Sequence, residues 1–470
     1  MDLPEDLVLR LDHRLATAQS SHRLPSVVAG LARADQVLWT GAAGLVEGHP
    51  PTSDTQYRIG SITKTVVAVA IMQLRDAGTL TLTDPITDHL GPAWDVAKTT
   101  LEHIRIGHLL MHTAGLAAET QGPWWERTAG SDEADLAADI AARPHPHTPG
   151  SRFHYSNVGF AILGAVLSHH HDMPWDAVIG RDVLTPLGLA RTTARPHQPA
   201  APGQAVHPFA DVVLAEPEHD ARAMAPAGQL WSTVPDMLRW GAFLAGQVTE
   251  ADVLSPETLA EMRVPGALND TPGQAWTVAH GLGLQVFHDT GSHWVGHGGS
   301  MPGFLAAVQA DPETDVCVTV ATNSTAGLDR ALMADVRSMV EEAFPRQPTV
   351  WQPREIPVDV RELAGTWYWG PTPLTLRITG TPEETLVLTP QGEHGRGSRF
   401  TRSGPQAPWV GQDAYYAGEV LQPVRDAEAR LTHLDLASFV LTRTPYPDSD
   451  VVPGGVHPDG WGPGPSQPSG

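Results

Sequence analysis

The chain has 470 residues, 41% of them hydrophobic, and a formal net charge of −23. That length points to two domains, and the charge argues against nucleic acid and anionic membrane surfaces as partners. The one cysteine, Cys317, excludes an intrachain disulfide and fits a reducing compartment. The first residues, Met1-Asp2-Leu3-Pro4-Glu5-Asp6, carry neither the basic nor the apolar stretch of a secretory signal. No run reaches the roughly 18 apolar residues of a membrane span. The expectation is a soluble cytoplasmic protein.

Residues 6–19 predict an amphipathic helix, with Leu7, Leu9, Leu11 and Leu15 among charges. Residues 25–31 and 37–39 read as a β-hairpin. A helix is expected from Ser61 through Val66, Val67, Ala70, Ile71 and Leu74, stopping at Gly78. Residues 116–150, rich in Pro, Trp, Ala and charges, read as a helical insert with irregular entry loops. Another helix follows Asn157 through Phe160, Ile162, Leu163 and Val166. Strands are expected at 283–287, 294–295, 304–310 and 316–321. The early hairpin and these late strands form one antiparallel sheet flanked by helices, an α+β arrangement over residues 1–344.

Residues 345–358 carry Pro345, Pro348, Pro353 and Pro357, a density that breaks helix and central strand and marks a linker. Short alternating runs at 366–369, 374–378, 385–388 and 438–442 predict a small all-β domain over 359–446. Residues 447–470 form a Pro/Gly-rich tail, expected to be an ordered clasp followed by a disordered end. No internal repeat is present.

Only two of the thirty Lys and Arg residues are lysines, Lys64 and Lys98. Arg supplies charge elsewhere but stays protonated at any working pH, so it cannot supply a neutral amine. Lys64 lies three residues after Ser61, and residues so spaced on a helix share a face. A serine at a helix start also meets the positive end of the macrodipole, which favours developing negative charge. To act as a base, Lys64 must be desolvated or placed near other cations. Two further clusters add to this pair: Tyr155-Ser156-Asn157 ahead of an apolar helix, and His297-Gly298-Gly299-Ser300 at the end of the 294–295 strand. Tyr can relay a proton with Lys, Asn can donate to a substrate carbonyl, and Gly298 and Gly299 allow close approach of a substrate backbone.

Ser-x-x-Lys, Tyr-x-Asn and His-x-Gly, in this order, resemble the serine β-lactamase and penicillin-binding-protein superfamily, most of all its class C-like branch of DD-peptidases, D-aminopeptidases and esterases. The flanking texture is similar too: Tyr57-Arg58-Ile59-Gly60, Leu109-Leu110-Met111-His112-Thr113-Ala114-Gly115-Leu116, and Ala225-Pro226-Ala227-Gly228-Gln229-Leu230-Trp231-Ser232-Thr233. The resemblance covers about residues 8–344. Leu363-Ala364-Gly365-Thr366-Trp367-Tyr368 resembles the lipocalin-like barrel appended to some of these hydrolases.

The resemblance implies Ser61 as nucleophile, Lys64 as its base and Tyr155 as proton shuttle to the leaving group. Asn157 would orient Lys64 and the substrate amide, and the backbone N–H groups of Ser61 and Ser300 would form the oxyanion hole. His297 stands where the family usually has the Lys of Lys-Thr-Gly. A histidine is only partly charged near neutral pH, so a substrate carboxylate is poorly served and efficient β-lactam hydrolysis is not expected. No Glu-based deacylation motif is present, so water activation falls to Tyr155 and Lys64, or an amine takes the acyl group.

No cofactor or metal is implied. The tract His169-His170-His171 reads as a solvated helix end, and Tyr57 and Cys317 as core. Trp124 and Trp125 either wall an apolar substrate cleft or pack the helical insert. Arg443 either reaches a substrate carboxylate or joins a structural ion pair. The leading expectation is a serine acyl-enzyme hydrolase acting on an amide or ester, in a short peptide with a D-residue. The second is a penicillin-binding-protein-type thioesterase that takes a carrier-bound peptidyl thioester and closes it head to tail. The third, a non-catalytic binding protein, is disfavoured because every motif residue is present.

Overall fold

The computed structural model describes residues 3–445 apart from 249–252, 272, 290–291, 330, 346–349, 354, 380–384 and 393–394. It divides into two compact units, residues 1–347 and 348–470. The proposed tail 447–470 lies outside the described residues, as does part of the proposed linker 345–358.

The first unit is built on an eight-stranded antiparallel sheet. Its spatial order is Gln36–Gly44, Ser26–Arg33, Val316–Thr322, Phe304–Ala310, Ser292–Met301, Gln285–Asp289, Val278–His280 and Ala267–Leu268. The early hairpin therefore docks beside a strand nearly 300 residues later, with Val27 opposite Thr322 and Gly30 opposite Thr319. The register follows from burial. Residues Ser26–Ala32 are buried in succession, as a strand covered on both faces requires.

On one face, Val27, Ala29, Leu31, Val318 and Val320 pack with Leu7, Leu11 and Leu15 of helix Glu5–Ser21 and with Leu332, Val336 and Val340 of helix Leu332–Ala343. On the other, Val28, Ala32, Val308, Ala310 and Cys317 belong to the larger core that includes helix Val234–Leu244. Gly30 passes so close to that helix that a Cβ would lie 2.4 Å from Val234 Cγ1.

The α+β arrangement is as expected, with local differences. Within 116–150 the regular element is the nine-residue helix Glu133–Ala141, capped by Asp132, whose carboxylate accepts the Asp135 N–H at 2.9 Å. The rest of that insert is irregular. Two-residue ladders Tyr57–Arg58 with Trp231–Ser232, and Ala267–Leu268 with Val278–His280, were too short to leave a periodic signal. Tyr57 and Cys317 are buried, as expected. His170 contacts His89 at 3.0 Å, and among the described residues no group of three or more His, Cys, Asp or Glu side chains is disposed to hold a metal. No helix among them is long and apolar enough to cross a membrane.

The second unit is a closed eight-stranded antiparallel barrel running from Gly365–Trp369 to Phe439–Thr442, each strand beside the next and the last pairing with the first. Barrels of this size fill their interior with side chains. Here Trp367, Leu376, Leu386, Phe400, Leu421, Leu434 and Leu436 do so. Strand Val420–Arg425 escaped sequence reading because Pro423 interrupts it, and its ladder shifts register between Val424 and Arg425.

Arg443 is consumed within this unit. Its guanidinium donates to the carbonyls of Ala364 (3.1 Å), Thr366 (3.2 Å) and Glu362, and lies 3.8 Å from the Trp367 ring centroid. Neither the substrate carboxylate nor the ion pair expected of it matches those partners, because backbone carbonyls and a tryptophan face meet its donors and its charge.

Candidate active site

Ser61 lies in the 3-10 turn Gly60–Ile62, which leads into helix Thr63–Asp76. The regular helix thus starts two residues later than expected, because Gly60, at φ 52°, redirects the chain just before the serine. The turn is pinned from outside. Tyr57–Arg58 pairs with Trp231–Ser232, the Ile59 N–H donates to the Leu230 carbonyl at 2.8 Å, and the Leu230 N–H donates to Thr63 Oγ1 at 3.1 Å.

Every residue from Thr63 to Met72 is buried. Over these residues the helix runs through the interior, buried all round and mostly apolar, as core helices are, and it carries Lys64 inside with it. Lys64 Nζ stands 2.9 Å from Ser61 Oγ and donates to the Ala227 carbonyl at 2.6 Å. Burial lowers its pKa to about 7, against the opposing charges of Glu119 and Glu126. An amine so placed is substantially neutral near physiological pH and can accept the Ser61 proton.

Tyr155 immediately precedes helix Asn157–His171, whose N-cap is Ser156: its Oγ accepts the Gly159 N–H at 3.1 Å and donates to the Ala117 carbonyl at 2.7 Å. That cap fixes where the tyrosine projects. Burial pushes the Tyr155 phenol up, while a hydrogen bond with Ser61 works against that shift. Lys64 Nζ is 5.0 Å from the Tyr155 ring centroid. Ser61, Lys64 and Tyr155 therefore converge.

His297 to Ser300 lie inside strand Ser292–Met301, not at the end of a strand. Gly299 admits the Ser61 turn. A Cβ on Gly299 would sit 1.9 Å from the Ile59 carbonyl oxygen, and one on Gly60 would sit 2.6 Å from the Ser300 nitrogen. Met301 faces Phe304 across a two-residue turn and Ser300 faces Leu305. Antiparallel pairs alternate between hydrogen-bonded and non-bonded. With Met301–Phe304 closing the turn, the Ser300 N–H is directed off that ladder, on the side where Gly60 approaches. The Ser61 and Ser300 N–H groups thus border one cleft of about 660 Å³, which Tyr155, Gln285 and His297 also line.

His297 departs from the expectation of partial charge. Burial, helped by Lys64, lowers its pKa to about 3. Its Nδ1 contacts the Gly298 carbonyl. A carbonyl only accepts, so Nδ1 carries the hydrogen and Nε2 is left as an acceptor.

Asn157 also differs from expectation. Its Nδ2 donates to Glu119 Oε1 at 2.6 Å, while Lys64 Nζ donates to Ser61 Oγ and the Ala227 carbonyl and not to the Asn157 amide oxygen. Trp125 is buried and its indole donates to Glu119 Oε2 at 2.7 Å, so it orients that carboxylate and does not line the cleft. Trp124 is 56% exposed, donates to Glu126 at 2.8 Å, and does not line it either.

Sequence reasoning passed over Glu119, the Ala227 carbonyl, His112 and Gln285, whose Oε1 accepts the Gly298 N–H at 3.0 Å. A backbone carbonyl leaves no residue-type signal, and the side chains gain their roles only through contacts distant in sequence.

The beta-lactamase family model matches residues 11–339, and a family described as a domain of unknown function (DUF7586) matches residues 356–443. The chain is 28% identical over 378 residues to penicillin-binding protein 4 of Amycolatopsis lactamdurans, covering 75% of this chain and 96% of that protein. It is 34% identical over 199 residues to the esterase EstB of Burkholderia gladioli, covering 39% and 50%. The crystal structure of a D-stereospecific amidohydrolase from a Streptomyces species superposes with a TM-score of 0.58 at 25% identity, covering 72% of this chain and 98% of that one. The chain belongs to the beta-lactamase family and is a serine hydrolase of that fold.

Proposed function

We propose that the protein forms an acyl-enzyme on Ser61 from an amide or ester in a short substrate with a D-residue, and releases it by hydrolysis. The observation that carries this reading is the buried Lys64 amine, 2.9 Å from Ser61 Oγ and lowered to about 7. Neutral Lys64 takes the Ser61 proton as Oγ bonds to the substrate carbonyl carbon. The oxyanion is met by the Ser61 and Ser300 N–H groups, the arrangement in which a lost donor costs about 3 kcal/mol. As the tetrahedral intermediate collapses, Tyr155 passes a proton to the leaving amine or alcohol and Lys64 returns the Ser61 proton to Tyr155. Water then attacks the ester carbonyl, giving a proton to the Lys64–Tyr155 pair, and that pair returns it to Ser61 Oγ as the acyl C–O bond breaks and the acid leaves.

His297 narrows the substrate. A neutral imidazole presenting a lone pair attracts a donor group and offers nothing to a carboxylate. Peptide amides and esters are therefore favoured over free C-terminal acids and over β-lactams. Similarity to a D-stereospecific amidohydrolase and to an esterase supports the same range.

The test is turnover of D- and L-phenylalanine amide and p-nitrophenyl acetate by wild type and Ser61→Ala. Wild type should hydrolyse the ester and the D-amide, form a covalent acyl adduct visible by mass spectrometry, and lose both in Ser61→Ala. An adduct persisting in Ser61→Ala sinks the assignment. With a peptidyl thioester ending in a D-residue, a product lighter than the linear acid by one water would replace hydrolysis with cyclisation.

A further inference from the structure

We propose that His112 is a positioning residue for the Ser61 site, holding Tyr155 in place by clamping the chain on both sides of it and stacking on its ring. The His112 carbonyl accepts the His154 N–H at 2.8 Å, and its Nδ1 accepts the Ser156 N–H at 3.1 Å. The residues immediately before and after Tyr155 are thus tied to one side chain and its own backbone. Between those ties the imidazole lies against the phenol, with ring centroids 4.1 Å apart and planes 26° from parallel. Phe153 and Phe160 close on the imidazole at 6.0 and 5.1 Å.

The local backbone gives an independent reason to regard this residue as chosen for its side chain. His112 ends helix Ile106–Leu110 with φ 56°. The Thr113 N–H returns to the His108 carbonyl at 2.8 Å and the His112 N–H to the Leu109 carbonyl at 3.2 Å. This is a Schellman ending, whose left-handed position is usually Gly, sometimes Asn. A histidine there bears a Cβ in a disfavoured region. A Gly would make the turn, but it could not hold the Ser156 N–H or face Tyr155.

Because Nδ1 accepts, the ring is the neutral Nε2–H tautomer. Burial holds it in that form by lowering its pKa well below the usual value. His112 therefore supplies an acceptor and a flat surface, and no proton to the reaction. This inference rests on the acyl-enzyme reading of Ser61, in which a misplacement of about 1 Å can cost about a hundredfold in rate.

The test compares two variants on p-nitrophenyl acetate, with rates normalised to sites that acylate and with thermal melts alongside. H112N keeps an acceptor near the Nδ1 position and tolerates the left-handed conformation. H112F keeps the ring and loses the acceptor. H112F should lose ten- to a hundredfold in kcat with KM within threefold, while H112N recovers most of that loss. The pH profile of H112N should keep the wild-type acid limb. Equal, deep losses in both variants with a displaced limb would make His112 a proton carrier and overturn the proposal. Unchanged kcat per acylating site with lowered melting temperatures would reduce it to a stability role and overturn it as well. In crystals of H112F, Tyr155 should move away from Ser61. An unmoved Tyr155 overturns the clamp whatever the activity, whereas failure of the acyl-enzyme reading shows as an inactive wild type.

Discussion

Strand Ser292–Met301 in the first unit and the strands of the barrel solve opposite problems. In the barrel, alternate residues such as Leu374 and Leu376, or Leu386 and Leu388, point into a filled interior, and stability comes from burying large side chains. In the first unit, Gly298 and Gly299 have no side chains to bury. Their strand gains backbone access: at Gly299 the Ser61 turn lies so close that a Cβ would sit 1.9 Å from the Ile59 carbonyl oxygen. A buried polar group follows the same division. Lys64, beside Ser61, and His297, in the cleft wall, are buried, whereas the barrel core is apolar apart from partnered groups such as Trp367, whose indole donates to the Leu363 carbonyl at 2.7 Å. Polar burial is expensive unless satisfied. Lys64 and His297 bring that cost to the neighbourhood of Ser61.

Four substitutions sharpen or break that contrast. Lys64→Met should lower kcat/KM by at least about a thousandfold, roughly 4 kcal/mol in the barrier. In the wild type, the neutral amine is the active form, and burial has brought its pKa down to about 7. The rate of ester acylation should therefore rise with pH through about 7 and then level. A limb near the ordinary lysine value would show that burial does not tune this group.

Trp367→Ala should cost about 3–5 kcal/mol of barrel stability, read as a fall in the denaturant midpoint of the barrel transition. A loss below about 1 kcal/mol would mean the interior repacks easily. The smallest expected effect is a paired one. Gly299→Ala should lower kcat about a hundredfold, because its Cβ drives the strand away from Ile59 and Ser61 and misplaces the Ser300 donor. Gly404→Ala in the barrel, where nothing lies within 4 Å of the new Cβ, should leave the melting temperature and kcat unchanged. Gly404 lies in the loop between Ser398–Thr401 and Trp409–Gly411, and equal tolerance at both glycines would show that close approach to the Ser61 turn does not constrain Gly299.

Much of the scaffold was legible because it is encoded locally. The strand run 25–31, the helix expected after Asn157 and the three-residue step from Ser61 to Lys64 are short-range patterns, and the structure has a strand at Ser26–Arg33, a helix at Asn157–His171 and Lys64 beside Ser61. Elements went unread where the signal was two or three residues long, as at Trp231–Ser232, or where Pro423 interrupted a strand. Trp124, Trp125 and Arg443 were drawn toward the substrate because large aromatic and cationic side chains suit ligands, yet each is engaged by a nearby carboxylate, carbonyl or ring.

The sequence by itself determined which residues could do the chemistry: a serine with one scarce lysine a helical step away, a tyrosine at a helix cap, and glycines where backbones must approach. Tertiary structure decided what state those residues are in. Lys64 is deprotonatable because the interior surrounds it, and its amine is held in place by donating to the Ala227 carbonyl, 163 positions away in sequence. His297 is neutral because it is buried, and Asn157 answers to Glu119 because the insert folds back over the helix start. Protonation and hydrogen-bond choice depend on desolvation and on partners remote in sequence, and neither exists until the chain has folded.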